Sequence, residues 1–464
     1  MTNSKLITGM WIAVAATCAV LATFTSCKKL VEASPVSRIS FPVAYADSIS
    51  AESNVTGMYY QAEQGGGGTY TGAYYIVFPL LSDEMSIGSS TQANYAGMAA
   101  NLVNSDYIQA KSMWVANYAV IYQANSVIEN IGSVQMSSAR KNRILGEARF
   151  MRAYFHFMAM VYFGKVPIVT TTDYRVNNAL PRQDTNTVFR FVTDELNAAL
   201  DLLPDGYSNY GNMHTRACKQ TARAMLARVY LYRKEWANAE TMANSVIGDP
   251  LFTLSTISNL VVPNSTESIW ELAAAPSSPT YIASQLVPNP DNPTVPGTLP
   301  SNKLVQSFES GDLRKDAFIG YSALPAPGCY YVNKYRDRIS GRDQPKLLRL
   351  SEMYLVRAEA RAQQGHLTGN SGAAADINII RNRAGLGNTT ANTRDGLLAA
   401  VAQERFVELC FEGHRWPDLV RTGQADAVLG ALKPNTWKPT AKLLPIPATE
   451  LGANPNLLPQ NDGY

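Results

Sequence analysis

Charge is scarce in this chain. Charged residues occupy only 17% of its 464 positions, and the formal net charge at pH 7 is +3. No cluster of Lys and Arg stands out, which leaves nucleic acid without an electrostatic footprint to meet. Beyond residue 24, no stretch approaches the roughly eighteen unbroken apolar residues that a membrane-spanning helix needs. Cysteine is rare too, at five residues. Cys218, Cys329 and Cys410 are widely spaced, without metal-ligand spacing and with room for at most one disulfide, which excludes a disulfide scaffold. Cys218 and Cys410 sit in helical patterns beside apolar residues and read as buried free thiols. Catalytic motifs are missing as well. His156, His214, His366 and His414 show no ligand-like spacing and no HExxH appears. No G-x-S-x-G elbow is present, and Gly65 to Gly68 is not followed by the Lys-Ser/Thr of a phosphate loop. The expectation is a protein with no catalytic set, no metal site and no cofactor.

What is present begins at the amino terminus. Lys5 precedes an apolar run from Leu6 to Phe24, followed by Thr25-Ser26-Cys27 and then Lys28-Lys29. A basic start, an apolar middle and small residues before a cut describe a secretory signal peptide. Small residues directly before a cysteine add a lipobox, in which cleavage leaves Cys27 first and carrying lipid. Residues 1–26 then form the leader and 27–50, rich in Ser, Pro and Ala, a lipidated tether. An ordinary signal peptide and a retained membrane anchor use the same run, since about twenty apolar residues suffice to span a bilayer.

The body, residues 51–464, reads as a single domain. Ile144, Ala148, Met151, Phe155, Met158 and Tyr162 recur at spacings of four and three, one apolar stripe on one helix. Gly164 stops it, and Val166-Pro167-Ile168-Val169 leaves in extended form. Met225, Val229, Tyr232 and Trp236 repeat the pattern. So do Leu350, Met353, Val356 and Ala360 before Gly365, and Leu398, Ala402, Phe406 and Leu409 before Gly413. Thr221 to Tyr232, a turn at Lys234-Glu235 and Trp236 to Ile247 make an Ala-rich helical hairpin of tetratricopeptide type, with an irregular period. Glu404, Arg405, Glu408, Glu412 and Arg415 read as ion pairs across turns of one helix.

The helical amino-terminal part runs to about residue 250. From about 250 to 345 repeated prolines interrupt any long helix, except a short one near Asn302 to Phe308. Glu267 to Ala275 and Tyr330 to Arg336 read as short strands there. The chain has 24 Tyr, 31 Gly and 25 Pro, and tyrosine suits wet binding surfaces as well as cores. A second loop-rich stretch, 61–75, puts Gly65 to Gly68 beside Tyr70, Tyr74 and Tyr75. Helices return after 345, and the tail from Lys442 reads as extended.

Five blocks stand in this order: "GEARFMRAYFHFMAMVYFGKVPIV" (Gly146 to Val169), "LLRLSEMYLVRAEARAQQG" (Leu347 to Gly365), "INIIRNRAGL" (Ile377 to Leu386), "ERFVELCFEGHRWPDLVRTG" (Glu404 to Gly423) and "KLLPIPATELGANPNLLPQNDGY" (Lys442 to Tyr464). Together they resemble the SusD/RagB family. An early "LLSDE" (Leu80 to Glu84) also fits. Pro417 departs from the pattern and suggests a new helix starting at Pro417-Asp418. The resemblance implies a mainly α, SusD-like fold of degenerate tetratricopeptide-like hairpins with a loop-rich region containing short strands. It further implies an outer-membrane lipoprotein facing the cell exterior, seated on a SusC-like TonB-dependent transporter through its helical face.

In such a protein the long loops form the ligand surface. A sugar ring offers an apolar face and a hydroxyl rim, which a Tyr or Trp ring with a polar neighbour answers. Tyr70, Tyr74, Tyr75, Tyr281 and Tyr321 fall in the loop-rich regions, and Trp270 joins them unless "SIWEL" turns it into the core. Asp83, beside Glu84, is a candidate for a sugar hydroxyl or a calcium ion, with capping as the plainer role. The expected cargo is an oligosaccharide or polysaccharide, with peptide as the alternative. A secreted glycosidase or peptidase, which needs a carboxylate pair on a cleft, and a purely structural adaptor are the rival readings.

Overall fold

The computed structural model describes residues 41–64, 73–89, 93–273, 281–289, 291, 294–325, 327–337 and 343–464. The mainly helical expectation holds. The long helices are α1 (Ser48–Gln64), α2 (Ile108–Asn130), α3 (Ser138–Phe163), α4 (Thr185–Leu202), α5 (Lys219–Arg233), α6 (Trp236–Ile247), α7 (Leu350–Gln363), α8 (Ala373–Arg383), α9 (Arg394–Glu408), α10 (Arg415–Arg421) and α11 (Ala425–Leu432). No helix among the described residues is long and apolar enough to cross a membrane.

Helix α3 is the centre of the molecule. Ser137 caps it by accepting from the Arg140 N–H at 3.3 Å, and Gly164 ends it at φ 71°, a conformation that costs a glycine little. The stripe from Ile144 to Tyr162 is buried, but so are Phe150, Ala153, Tyr154 and Phe157 outside it. A helix covered on every side belongs to the core and not to its edge. Helices α2 and α4 pack against it. Helix α4, by contrast, buries one face through Val188, Val192, Glu195, Leu196 and Ala199.

The packing then passes from α4 to α5, from α5 to α6, from α6 to α7, and from α7 to α8 and α9. The α5–α6 hairpin turns where expected: Lys234 takes φ 62°, and the Glu235 N–H bonds the Tyr230 carbonyl at 2.9 Å. Trp236 opens α6 instead of closing α5. Ala222, Ala224, Ala227, Ala239 and Ala243 are all buried, the small residues that let the helices approach.

Short strands occupy the proline-rich interval and its carboxy-terminal border, joined by one from the amino-terminal part. They are β1 (Met85–Ile87), β2 (Ser268–Glu271), β3 (Thr298–Pro300), β4 (Ile319–Ser322), β5 (Cys329–Val332) and β6 (Lys346–Arg349). They form three antiparallel pairs, β1 with β3, β2 with β6 and β4 with β5. The expected short helix is present at Asn302–Ser307. The tail lies across α3: the Leu444 N–H bonds the Tyr162 carbonyl at 2.8 Å, and the Asn461 amide donates to Phe163 and Leu444 carbonyls at 2.8 Å. Short helical turns at Ala448–Ala453 and Pro455–Leu457 break its extended course.

The charged residues follow a different plan from the one-helix pairing expected of them. Helix α9 ends at Glu408, so Glu412 and Arg415 lie beyond it, and the partners come from other elements. Arg349 reaches Glu412 at 2.7 Å and Glu267 and Glu408 at 2.6 Å each. Arg383 meets Glu267 at 2.7 Å and Glu408 at 2.5 Å. Arg314 holds Asp312 at 2.7 Å and Glu404 at 2.8 Å. Arg405 turns to Asp418. Buried charges lose their hydration, and only several short bonds per group offset that loss. The same applies to Glu147, bound by Arg143 and Arg216, and to Glu352, bound by Arg228. Helix α10 begins at Arg415, two residues before the expected Pro417 start. Pro417 still falls in the first turn, where no helical N–H is needed.

Candidate functional site

The residues proposed from sequence divide sharply in the folded chain. Cys27 and Tyr70 lie outside the described residues. Tyr74 and Tyr281 stand in the short helical segments Ala73–Val77 and Tyr281–Leu286, and their side chains also lie outside the description. Tyr75 is fully buried. Its hydroxyl donates to the Lys346 carbonyl at 3.2 Å, and its ring meets Tyr335 edge-on at 5.2 Å. Trp270 is likewise buried, edge-on to Phe150 at 5.0 Å and Tyr154 at 4.9 Å. Both are corrections: a ring enclosed by other rings has no face to offer a ligand.

Asp83 is also internal. Arg415 bonds it at 2.8 and 3.0 Å, and the Lys303 ammonium lies 2.6 Å away. Burial raises its pKa, and the Arg415 hydrogen bonds and charge outweigh that, holding the carboxyl below its ordinary value. Its two oxygens are committed to cations inside the protein, so it ties the Leu80–Glu84 turn to the start of α10. Glu84 beside it is pushed up to about 8 by burial.

Tyr321 is the exception. It lies on the β4–β5 hairpin, and the register places it directly opposite Tyr330. Tyr321 is 59% exposed and Tyr330 43%. Their rings sit 5.4 Å apart at 65°. Cross-strand aromatics stabilise a hairpin, but two large rings left this open are more informative about binding than about folding. Tyr331, on the other face, lies over Gly320, where an added Cβ would come within 2.2 Å of its ring. Gly328 turns the chain at φ 89°, and a Cβ there would meet the Ser322 carbonyl at 2.8 Å.

The base of this hairpin is anchored. Ile319 and Val332 are buried, and the Asn333 N–H bonds the Phe318 carbonyl at 2.8 Å. Lys334 lies over the Phe318 ring at 4.2 Å and donates to the Glu408 and Cys410 carbonyls at 2.9 and 3.1 Å. It also pairs with Glu412. An exposed aromatic pair on a fixed base can stack on a flat apolar face while its hydroxyls meet polar rims. Sequence reading missed Tyr330 as a site residue. The signal was available: two short strands around the Pro325–Gly328 turn put 321 and 330 opposite each other.

Two family models cover most of the chain. The SusD family matches residues 325–464, and the family described as starch-binding, associating with the outer membrane, matches residues 37–231. The chain belongs to the SusD family. SusD-like protein P2 of Formosa agariphila is 26% identical over 447 residues, covering 83% of this chain and 85% of that protein. Starch-binding protein SusD of Bacteroides thetaiotaomicron is 34% identical over 125 residues, covering 25% of this chain and 21% of that one. A solved laminarin binding SusD-like protein shares the fold with a TM-score of 0.77 at 25% identity, covering 90% of this chain and all of its own. The two SusD matches leave residues 232–324 between them. Tyr321 falls in that interval and Tyr330 just past it, so the hairpin straddles the border of the family match.

Proposed function

We propose that this protein is a non-catalytic, cell-surface capture protein for an oligosaccharide or polysaccharide. It is anchored in the outer membrane by lipid on Cys27 and passes its cargo to a SusC-like TonB-dependent transporter. The observation that carries the reading is the exposed Tyr321–Tyr330 pair on an anchored hairpin. Membership of a family whose relatives include starch-binding and laminarin binding proteins supports glycan as the cargo class. Tyr74, Tyr281 and Tyr70 remain candidates for widening the aromatic surface. Peptide is the alternative cargo.

The test is affinity electrophoresis of the purified protein in gels cast with starch, laminarin and other neutral glycans, followed by calorimetry on matching oligosaccharides. One glycan class is expected to retard the protein. Replacing Tyr321 and Tyr330 together by Ala is expected to lower that affinity at least about tenfold, since base–aromatic stacking of comparable area contributes about 1–3 kcal/mol per ring. The helical circular-dichroism spectrum stays unchanged. Unaltered affinity removes the hairpin from the site, and binding of peptides in place of every glycan selects the alternative.

A further inference from the structure

A cleft of about 890 Å³ opens beside α9, α10 and α11, and neither Tyr321 nor Tyr330 lines it. Its floor is aliphatic. Leu398, Ala399 and Ala402 line it from α9, with Leu419 from α10 and Val428 from α11. Ala399 and Ala402 are exposed, and their small side chains keep the groove open along the helix.

Its charge is one-sided. Six cationic and three acidic side chains border it, a surplus as large as the +3 of the whole chain. Asp83, behind the wall, offsets one positive charge through Lys303 and Arg415. Two of the bordering acids are already neutralised. Glu359 is gripped by Arg421 at 2.6 and 2.8 Å, and Asp418 by Arg405 at 2.6 Å and Arg421 at 2.7 Å. Four of the six cations are held as well, Lys303 and Arg415 by Asp83 and Arg405 and Arg421 by Asp418, which leaves Lys234 and Arg394. Lys234 has no acidic partner among the described residues, and Arg394 spends a donor on the Gln363 side-chain carbonyl at 2.5 Å. Arg405 keeps its Nη1 buried without a hydrogen-bond partner. Lys234 occupies the left-handed cap of α5, a place where glycine is the ordinary residue.

The half-buried Trp236 indole adds an apolar wall that suits a Leu or Phe side chain. The Phe406 ring is covered by the Arg415 guanidinium at 4.2 Å, and the Gln403 amide is committed to the Ser307 carbonyl at 2.8 Å. What the cleft offers is an aliphatic trough beside cations, which fits apolar side chains alternating with carboxylates. We propose that this cleft docks an acidic, Leu- or Phe-bearing peptide segment of a partner protein. The carboxylates lie toward Lys234, Arg394 and Arg405, and the apolar side chains lie over Ala399, Ala402 and Leu419.

The test uses the full-length protein in detergent and a fluorescein-labelled pool of twelve-residue peptides in which Glu and Asp alternate with Leu and Phe. A second pool carries Gln and Asn in place of the acids. Fluorescence anisotropy is expected to show saturable binding of the acidic pool, at least about tenfold tighter than the amide pool and weaker as salt rises from 0.05 to 0.5 M. Ala402→Trp, which fills the trough, and the exposed pair Lys234→Glu with Arg394→Glu are each expected to lower affinity about tenfold or more. Neither change alters glycan retardation or the melting curve. Equal binding of both pools, no binding up to millimolar peptide, or variants that bind like the parent overturn the proposal. So does displacement of the acidic pool by polygalacturonate at lower concentration than by unlabelled peptide, which assigns the cleft to an anionic glycan.

Discussion

His156 shows how much a single side chain settles on α3. Its Nε2 accepts the Val169 N–H at 3.0 Å, which leaves the proton on Nδ1 to be donated to the Arg152 carbonyl at 2.8 Å. Both ring nitrogens are satisfied only in the neutral form. Burial, opposed by the bond to the Arg152 carbonyl and aided by the Arg152 charge, pushes its pKa down to about 3. The folded pKa lies below the unfolded value near 6.5, so acid favours the unfolded chain. The stability that neutral His156 contributes is complete above about pH 6.5 and is lost as pH falls from there toward 3. His156→Gln keeps a donor and an acceptor but does not titrate. In melts from pH 7.5 to 4.5, the parent is expected to lose stability relative to the variant by about 1.4 kcal/mol per pH unit below 6.5. Parallel curves would show that His156 is already charged in the fold.

At the scale of elements, the β4–β5 hairpin rests on its glycines. Gly328→Ala forces a Cβ into a positive-φ turn and against the Ser322 carbonyl. It is expected to splay the strands and weaken glycan binding about as much as removal of the tyrosines does. The global melting temperature changes little, because the base is held separately by Lys334 and Val332. Crystallography of the variant, or exchange of the Tyr331 amide, which faces Gly320 in a hydrogen-bonded pair, checks the local effect; a hairpin of unchanged order defeats the prediction. The long helices were legible because their apolar spacing and glycine stops are local properties: α3, α5, α7 and α9 emerge where Ile144, Met225, Leu350 and Leu398 begin their stripes. The candidate site was legible only at Tyr321. Whether Tyr75 and Trp270 face inward depends on Tyr335, Phe150 and Tyr154, which arrive from distant positions in the chain. The charged residues mislead for the same reason, since Glu404 and Glu408 sit at helical spacing yet find Arg314, Arg349 and Arg383 across the fold.

At the scale of the whole molecule, the buried lattice around Arg349 joins β6, α8, α9 and Glu267, the residue before β2, in one network. Arg349→Met removes the partner shared by Glu267, Glu408 and Glu412. Breaking such a buried pair costs about 3–5 kcal/mol, and a matching fall in urea stability is expected. Arg175→Ala serves as the contrast. Its pairing with Asp173 is surface-borne, with the Arg175 side chain 75% exposed, and the urea midpoint is expected to stay where it is. A small effect of Arg349→Met would mean that Arg383 and Lys334 suffice to hold the three carboxylates.

The pairing of Asp83 with Arg415 also places the fold in time. The two residues are 332 positions apart, and a ribosome adding about 5–20 residues per second takes roughly 15–65 s to cover that interval. Throughout it, the Leu80–Glu84 turn has no guanidinium to neutralise its carboxylate, and the pocket that will enclose it does not exist. One of the earliest turns made is completed by some of the last residues made, and the unfinished chain stays open by virtue of its own topology.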